Sequence, residues 1–278
     1  MLSYRHAFHA GNFADVLKHL VQVEILNYLK QKEKPFVYID THAGAGLYSL
    51  NSDMAGKTAE FQQGIAALNG NTWPELAAYL QVVNAIAKQD KKAKLYPGSP
   101  AIAQYLLREQ DRALLFDLHP TDFALLEQNM RGDKRIKVQQ QDGFKGLLAA
   151  LPPVERRALV LIDPPYEIKT DYDTVVEVLV KAHKRFATGT YALWYPVVER
   201  ARVELIEQHL QESGMKNIQL FEMGLSADTE KRGMTSAGMI VINPPWTLKT
   251  KLDGLLPKLT KLLSHGQGVY RSETLVGE

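Results

Sequence analysis

Residues 36–46 read Phe36-Val37-Tyr38-Ile39-Asp40-Thr41-His42-Ala43-Gly44-Ala45-Gly46. The first five have the aromatic and β-branched character of a short buried strand. The strand stops on a carboxylate and runs straight into a turn with two glycines. Such a turn at the carboxyl end of a strand lets backbone approach a ligand closely, and in an open α/β sheet that position is the ligand crevice. On its own, the turn serves conformation as readily as binding. Its spacing matches neither the dinucleotide pattern G-x-G-x-x-G nor the phosphate loop G-x-x-x-x-G-K-[ST]. Gly56-Lys57-Thr58 imitates the tail of the phosphate loop, but Asn51 stands where the first glycine is required, so nucleotide hydrolysis loses its support.

Outward from this strand, similar runs at 113–118, 136–140, 158–163, 190–195, 218–222 and 239–243 alternate with helical patterns through most of the chain. The alternation predicts an α/β fold, a mostly parallel seven-stranded sheet with helices on both faces. The last two runs are separated by residues 224–238, which lack helical periodicity, so they pair as a hairpin and leave the last strand antiparallel.

Two stretches break the alternation. Residues 12–31 place Phe13, Val16, Leu17, Leu20, Val23, Leu26 and Leu29 at helical spacing behind Asn12, a good N-cap, and predict a helix ahead of the sheet. Residues 47–97 far exceed a βα connection. Within them 73–88 looks helical, with Leu76, Leu80, Val83 and Ile86 on one face, and Ser99-Pro100 then reads as an N-cap followed by a helix-starting proline. The expected organisation is one domain over 1–278, with a site-facing N-terminal segment at 1–35 and a small helical insert at 47–97.

Composition narrows the function classes. At 278 residues and 45% hydrophobic the chain can bury a sizeable core, which excludes disorder as its main state. Zero cysteines exclude disulfide scaffolds, thiolate zinc sites, iron–sulfur clusters and thiol nucleophiles. No apolar run approaches the roughly 20 residues of a membrane span, and the start MLSYRH lacks the apolar core of a signal peptide; a cytoplasmic protein without membrane or metal partner is expected. A net charge of +2 is too mild to indicate nucleic-acid binding by itself.

The strand ends carry the chemistry. Asp117 closes the second strand. Once 47–97 is set aside, it follows Asp40 by an interval close to the roughly 20 residues at which an acidic side chain takes ribose hydroxyls. Asp142-Gly143 follows the third strand, and Asp142 suits either an adenine amino group or the cap of the next helix. Together these ends describe a pocket for an adenosine whose tail is not a polyphosphate, and S-adenosylmethionine fits. The fourth strand ends Ala158-Leu159-Val160-Leu161-Ile162-Asp163-Pro164-Pro165-Tyr166. Two prolines hold a rigid extended turn and offer no N–H. An exocyclic base amine is a poor nucleophile. The Asp163 carboxylate and Pro164 carbonyl can accept its two N–H bonds and stabilise the charge that builds on nitrogen, while Tyr166 offers a face to an extruded base. As a bare tetrapeptide, Asp-Pro-Pro-Tyr is also an ordinary strand stop. Asn243-Pro244-Pro245-Trp246 mimics it after the last strand, where reaction is not expected. Tyr191, Trp194 and Tyr195 read most simply as core. Basic clusters at 88–94, 131–135, 181–185, 231–232 and 249–251 read as solvated faces unless several share one side of the crevice.

At these residues the sequence resembles the class I S-adenosylmethionine-dependent amino-methyltransferases. A closer set of motifs is Ser3-Tyr4-Arg5-His6-Ala7-Phe8-His9-Ala10-Gly11-Asn12, Asp15-Val16-Leu17-Lys18-His19, Tyr96-Pro97-Gly98-Ser99-Pro100, Leu118-His119-Pro120 and Arg232-Gly233-Met234. With the glycine turn and Asp142-Gly143, these are similar to the large-subunit ribosomal RNA methyltransferase J family, which methylates N6 of one adenine in 23S rRNA. The resemblance covers essentially the whole chain. It implies a Rossmann-like class I sheet and a cofactor held by His19, His42, Ser99, Asp117, Asp142, Gly143 and Asp163. It also implies catalysis by Asp163, Pro164 and Tyr166, and contact of Tyr4 with RNA. His6 and Lys18, in the same leading segment, are further candidate RNA contacts; on composition alone Lys18, His19 and His6 are solvated surface residues. A monomer acting on 23S rRNA is expected. The rivals are the same chemistry on guanine N2, DNA adenine or a protein glutamine, and a non-catalytic RNA-binding module.

Overall fold

The structure is a computed structural model that describes residues 5–90, 92–167, 170–229 and 233–278. The expectations placed on Ser3, Tyr4 and Arg232 lie outside the described residues. In chain order the elements are α1 (Phe13–Lys30), β1 (Val37–Asp40), β2 (Leu47–Ser49), α2 (Asp53–Thr58), α3 (Ala77–Ala87), β3 (Leu95–Pro97), α4 (Ser99–Leu106), β4 (Arg112–Phe116), α5 (Pro120–Asn129), β5 (Ile136–Gln139), α6 (Gly143–Ala150), β6 (Ala158–Ile162), α7 (Asp171–Arg185), β7 (Thr190–Val197), α8 (Arg200–Glu212), β8 (Ile218–Gly224), β9 (Ser236–Ile242), α9 (Leu248–Leu263) and β10 (Val269–Val276).

The main sheet runs β10-β8-β9-β7-β6-β1-β4-β5. β5, β4, β1, β6 and β7 are mutually parallel, while β9 is antiparallel to both of its neighbours. The hairpin of β8 and β9 is as expected. The strand count is not: an eighth strand, β10, closes the edge antiparallel to β8. It escapes the sequence reading because it is an edge strand, half exposed, with Arg271 and Glu273 interrupting its apolar alternation. In the central strands, neighbours face opposite ways. Tyr38, Leu159 and Leu161 enter the core layer with α1, α4 and α9, and Val37, Val160 and Ile162 enter the layer with α7 and α8.

α1 begins on Asn12, whose side chain accepts from the Asp15 N–H. It is buried almost all round, since it lies between the sheet, α4, α9 and α3. Lys18 and His19 are therefore buried, not solvated. The stretch 47–97 is not purely helical either. β2 and β3 pair antiparallel at its two ends, and Gly98 N–H donates to the Gly46 carbonyl at 2.9 Å, so the insert opens and closes at one point between the β1 turn and α4. α3 buries Tyr79, Val82, Val83 and Ile86, with Leu80 at its margin. Ser99 is the first residue of α4 and Gly98 its N-cap. The Ser99 hydroxyl does not cap because it donates to Asp40 instead.

The sheet order reverses between β1 and β6: the chain goes outward from β1 to β4 and β5, then returns to the other side. A crevice opens at the carboxyl ends of these two strands.

Candidate active site

The crevice is a cavity of about 710 Å³. The β1 end shapes its floor. Asp40 is fully buried and accepts from the Tyr38 hydroxyl (2.7 Å) and the Ser99 hydroxyl (2.6 Å), so it is committed to the loop rather than to the space above. Burial lifts its carboxyl to about 6 against those two hydrogen bonds. His42 Nδ1 lies 2.8 Å from the Thr41 hydroxyl, and its ring meets Phe144 edge-on. Burial pushes His42 down to about 4, against the charges of Asp163 and Asp142. Gly44 has φ +60°, and a Cβ there would fall on the Tyr48 hydroxyl.

The next two loops clasp this one. Asp117 accepts from Gly44 N–H (2.7 Å) and His119 N–H (2.8 Å), and burial raises its carboxyl. Asp142 caps α6, accepting from the N–H groups of Phe144 (2.9 Å) and Lys145 (3.2 Å). The cap reading of Asp142 therefore holds in the structure. Gly143 is required because a Cβ there would land on the Thr41 carbonyl.

The fourth wall is Asp163-Pro164-Pro165-Tyr166. Tyr166 takes φ +51°, a left-handed conformation unfavourable for an aromatic residue. It is held by a hydroxyl donated to the Trp194 carbonyl (2.7 Å) and by ring contact with Tyr172. Asp163 Oδ2 lies 2.6 Å from Lys18 Nζ, which comes across from α1 and is also 3.0 Å from Asp15 Oδ1. His19 Nδ1 meets the Tyr96 hydroxyl at 2.8 Å, while its buried Nε2 has no hydrogen-bond partner among the described residues. Burial drives His19 to about 3. His6 Nε2 lies 2.9 Å from Asp15 Oδ2.

One cavity is thus lined by His6, Lys18, His19, His42, Ser99, Asp117, Asp142, Gly143, Asp163, Pro164 and Tyr166. These are all the site residues expected from sequence except Tyr4. The Asn243-Pro244-Pro245-Trp246 turn is at the other end of the sheet: β9 runs antiparallel, and Asn243 bonds to the carbonyls of Ala187 and Gly189, just ahead of β7. Residues 53–58 form α2, so the Lys57-Thr58 pair ends a helix and does not cradle a phosphate. Among the basic clusters, Arg135, Lys181, Lys249 and Lys251 are each ion-paired with a nearby carboxylate.

Trp194 and Asp15 are among the lining residues that the sequence reading did not mark. Trp194 is cavity wall, not core. Alternation along β7 puts Tyr191, Leu193 and Tyr195 in one layer and Trp194 and Pro196 on the other face, a signal present in the sequence. Asp15 was quoted in a motif but given no role; it sits 1% exposed beneath Lys18 and His6.

A profile of the family described as "Ribosomal RNA large subunit methyltransferase D, RlmJ" matches residues 33–276. The chain is 50% identical over 281 residues to ribosomal RNA large subunit methyltransferase J of Haemophilus influenzae, with all of both chains covered. It is 51% identical over 271 residues to the protein of the same name from Escherichia coli, with 96% of each covered. A crystal structure of a Legionella pneumophila protein, 36% identical, superposes with a TM-score of 0.88 over 96% of this chain and 98% of that one.

Proposed function

The chain belongs to the ribosomal RNA large subunit methyltransferase J family, and from that membership we propose that it methylates large-subunit ribosomal RNA. The acceptor is the exocyclic N6 amine of an adenine in 23S rRNA, and the donor is S-adenosylmethionine. The observation that carries this reading is Asp163, which closes β6 on the cavity wall with Tyr166 and Trp194 beside it.

The donor set suits an adenosyl sulfonium. Asp117 and Asp142 both line the cavity and would read a ribose and an adenine edge, and among the described residues the lining carboxylates outnumber the lysines. His19 keeps a buried ring nitrogen for a polar group. When bound, the donor supplies an electrophilic methyl group. Asp163 and the Pro164 carbonyl accept the two N–H bonds of the amine, which turns its lone pair outward and offsets the positive charge developing on nitrogen. Tyr166 and Trp194 stack the flipped base. The proton released after transfer leaves through Asp163 to water.

Asp163→Ala should lower transfer to 23S rRNA by at least about 10²-fold in a chain that still folds and unfolds cooperatively. A tritium-transfer assay on rRNA and genomic DNA, with mass mapping of the modified nucleoside, checks this. Near-normal turnover removes Asp163 from the reaction, and label on guanine or on DNA moves the acceptor.

A further inference from the structure

Asp15 is the most heavily engaged carboxylate in the site. It stands in the first turn of α1, almost wholly buried, and accepts from Gly11 N–H (2.8 Å) and pairs with His6 Nε2 (2.9 Å) and Lys18 Nζ (3.0 Å). His19 Nε2 lies 3.8 Å away. The Lys18 ammonium is therefore held between two carboxylates, Asp15 below and Asp163 beside the reacting position. Its own side chain is only 6% exposed, so a withdrawn partner is poorly replaced by water.

This arrangement meets a difficulty in the reaction. Asp163 is needed by the amine of the substrate, yet it already binds an ammonium. A buried ammonium with a single counterion cannot be released without leaving an uncompensated charge. A second, permanent counterion removes that obstacle.

Resting on the methyl-transfer reading, we propose that Asp15 is a positioning residue: it is the standing counterion of Lys18 and keeps that ammonium in place while Asp163 turns to the amine being methylated. Asp15 remains ionised for this task. Burial alone would raise it, but the Lys18 ammonium 3.0 Å away and the His6 hydrogen bond hold it well below the usual carboxylate range. Its carboxylate is tied at Gly11, so it does not swing with the substrate.

The test compares full-length Asp15→Asn, Lys18→Met and the double variant in steady-state methylation of a 23S rRNA fragment, with S-adenosylhomocysteine binding by calorimetry. Asp15→Asn should lower kcat on the order of 10- to 100-fold while KM for RNA and the affinity for S-adenosylhomocysteine change by less than about threefold. The double variant should be no slower than Lys18→Met, since the two act as one unit. Losses that multiply, or an Asp15→Asn chain with normal kcat, overturn the proposal. A second arm needs no Asp15 variant. In lysine-labelled Asp163→Asn protein, the Nζ resonance of Lys18 should stay protected from solvent exchange, as in the unaltered chain. Rapid exchange there means that Asp163, not Asp15, holds the ammonium, and overturns it. This arm reads the ion pair whether or not rRNA is the substrate, whereas failure of the unaltered chain to methylate rRNA counts against the functional reading.

Discussion

His19 and His42 are kept neutral by burial, at about 3 and about 4 against a usual 6.5. Their charged forms are disfavoured in the fold, so the unfolded chain binds more protons between those values and 6.5, and stability is lost as pH falls through that window. Asp40 works the other way. Raised to about 6, it binds a proton more readily in the fold, and stability falls as pH rises from the usual carboxylate range to about 6. Urea unfolding at a series of pH values should therefore show acid sensitivity below pH 6.5 that Asp40 partly masks. His42→Gln should remove about 1.4 kcal/mol per pH unit of that sensitivity between pH 6 and 4.5. An unchanged slope would mean that His42 is charged in the fold. At this scale the sequence was informative wherever a residue's place in a loop dictated its chemistry: Asp117, Asp142 and Asp163 were found from strand ends alone. Ser99 was placed one position off, because its hydroxyl answers to Asp40, a residue distant in sequence, rather than to its own helix. Asp15 had no local mark at all, since its partners His6, Lys18 and Gly11 surround any first-turn aspartate equally well in a linear reading.

Among elements, the central strands were legible because residues buried on both faces need continuous apolar runs, as in β6. β2 and β3 were not, since three residues carry no measurable period. Their pairing matters to the site. β3 places Tyr96 against His19 and against the Tyr79 hydroxyl of α3 at 3.1 Å, linking the insert to the cavity wall. Tyr96→Phe keeps the ring but leaves His19 Nδ1 buried without its partner, a loss of about 1–3 kcal/mol. Denaturant unfolding checks the stability, and calorimetry with S-adenosylhomocysteine should show weaker binding, because a freed imidazole no longer presents Nε2 in one orientation. Unaltered stability and binding would mean that the ring contact alone holds His19.

Over the whole molecule, the sheet gives its two ends different work. The two Pro-Pro turns resemble one another locally, and only the direction of β9 separates them, which no window of sequence reports. Trp246 is 79% exposed at the end away from the cavity. Trp246→Ala should leave methyl transfer to rRNA within about twofold and unfolding within the ±0.5 kcal/mol typical of exposed sites; a large loss of transfer would bring that end of the sheet into RNA binding. The place of β1 has a further consequence for how the molecule is made. It lies between β4 and β6, so the strand bearing the glycine turn has no hydrogen-bonding neighbour in the main sheet until residues 112–116 and 158–162 have emerged from the ribosome. At about 5–20 residues per second, that wait is on the order of ten seconds. Until β4 arrives both edges of this apolar segment are unpaired, and until β6 arrives one still is, so the nascent chain is open to aggregation longer than its finished form.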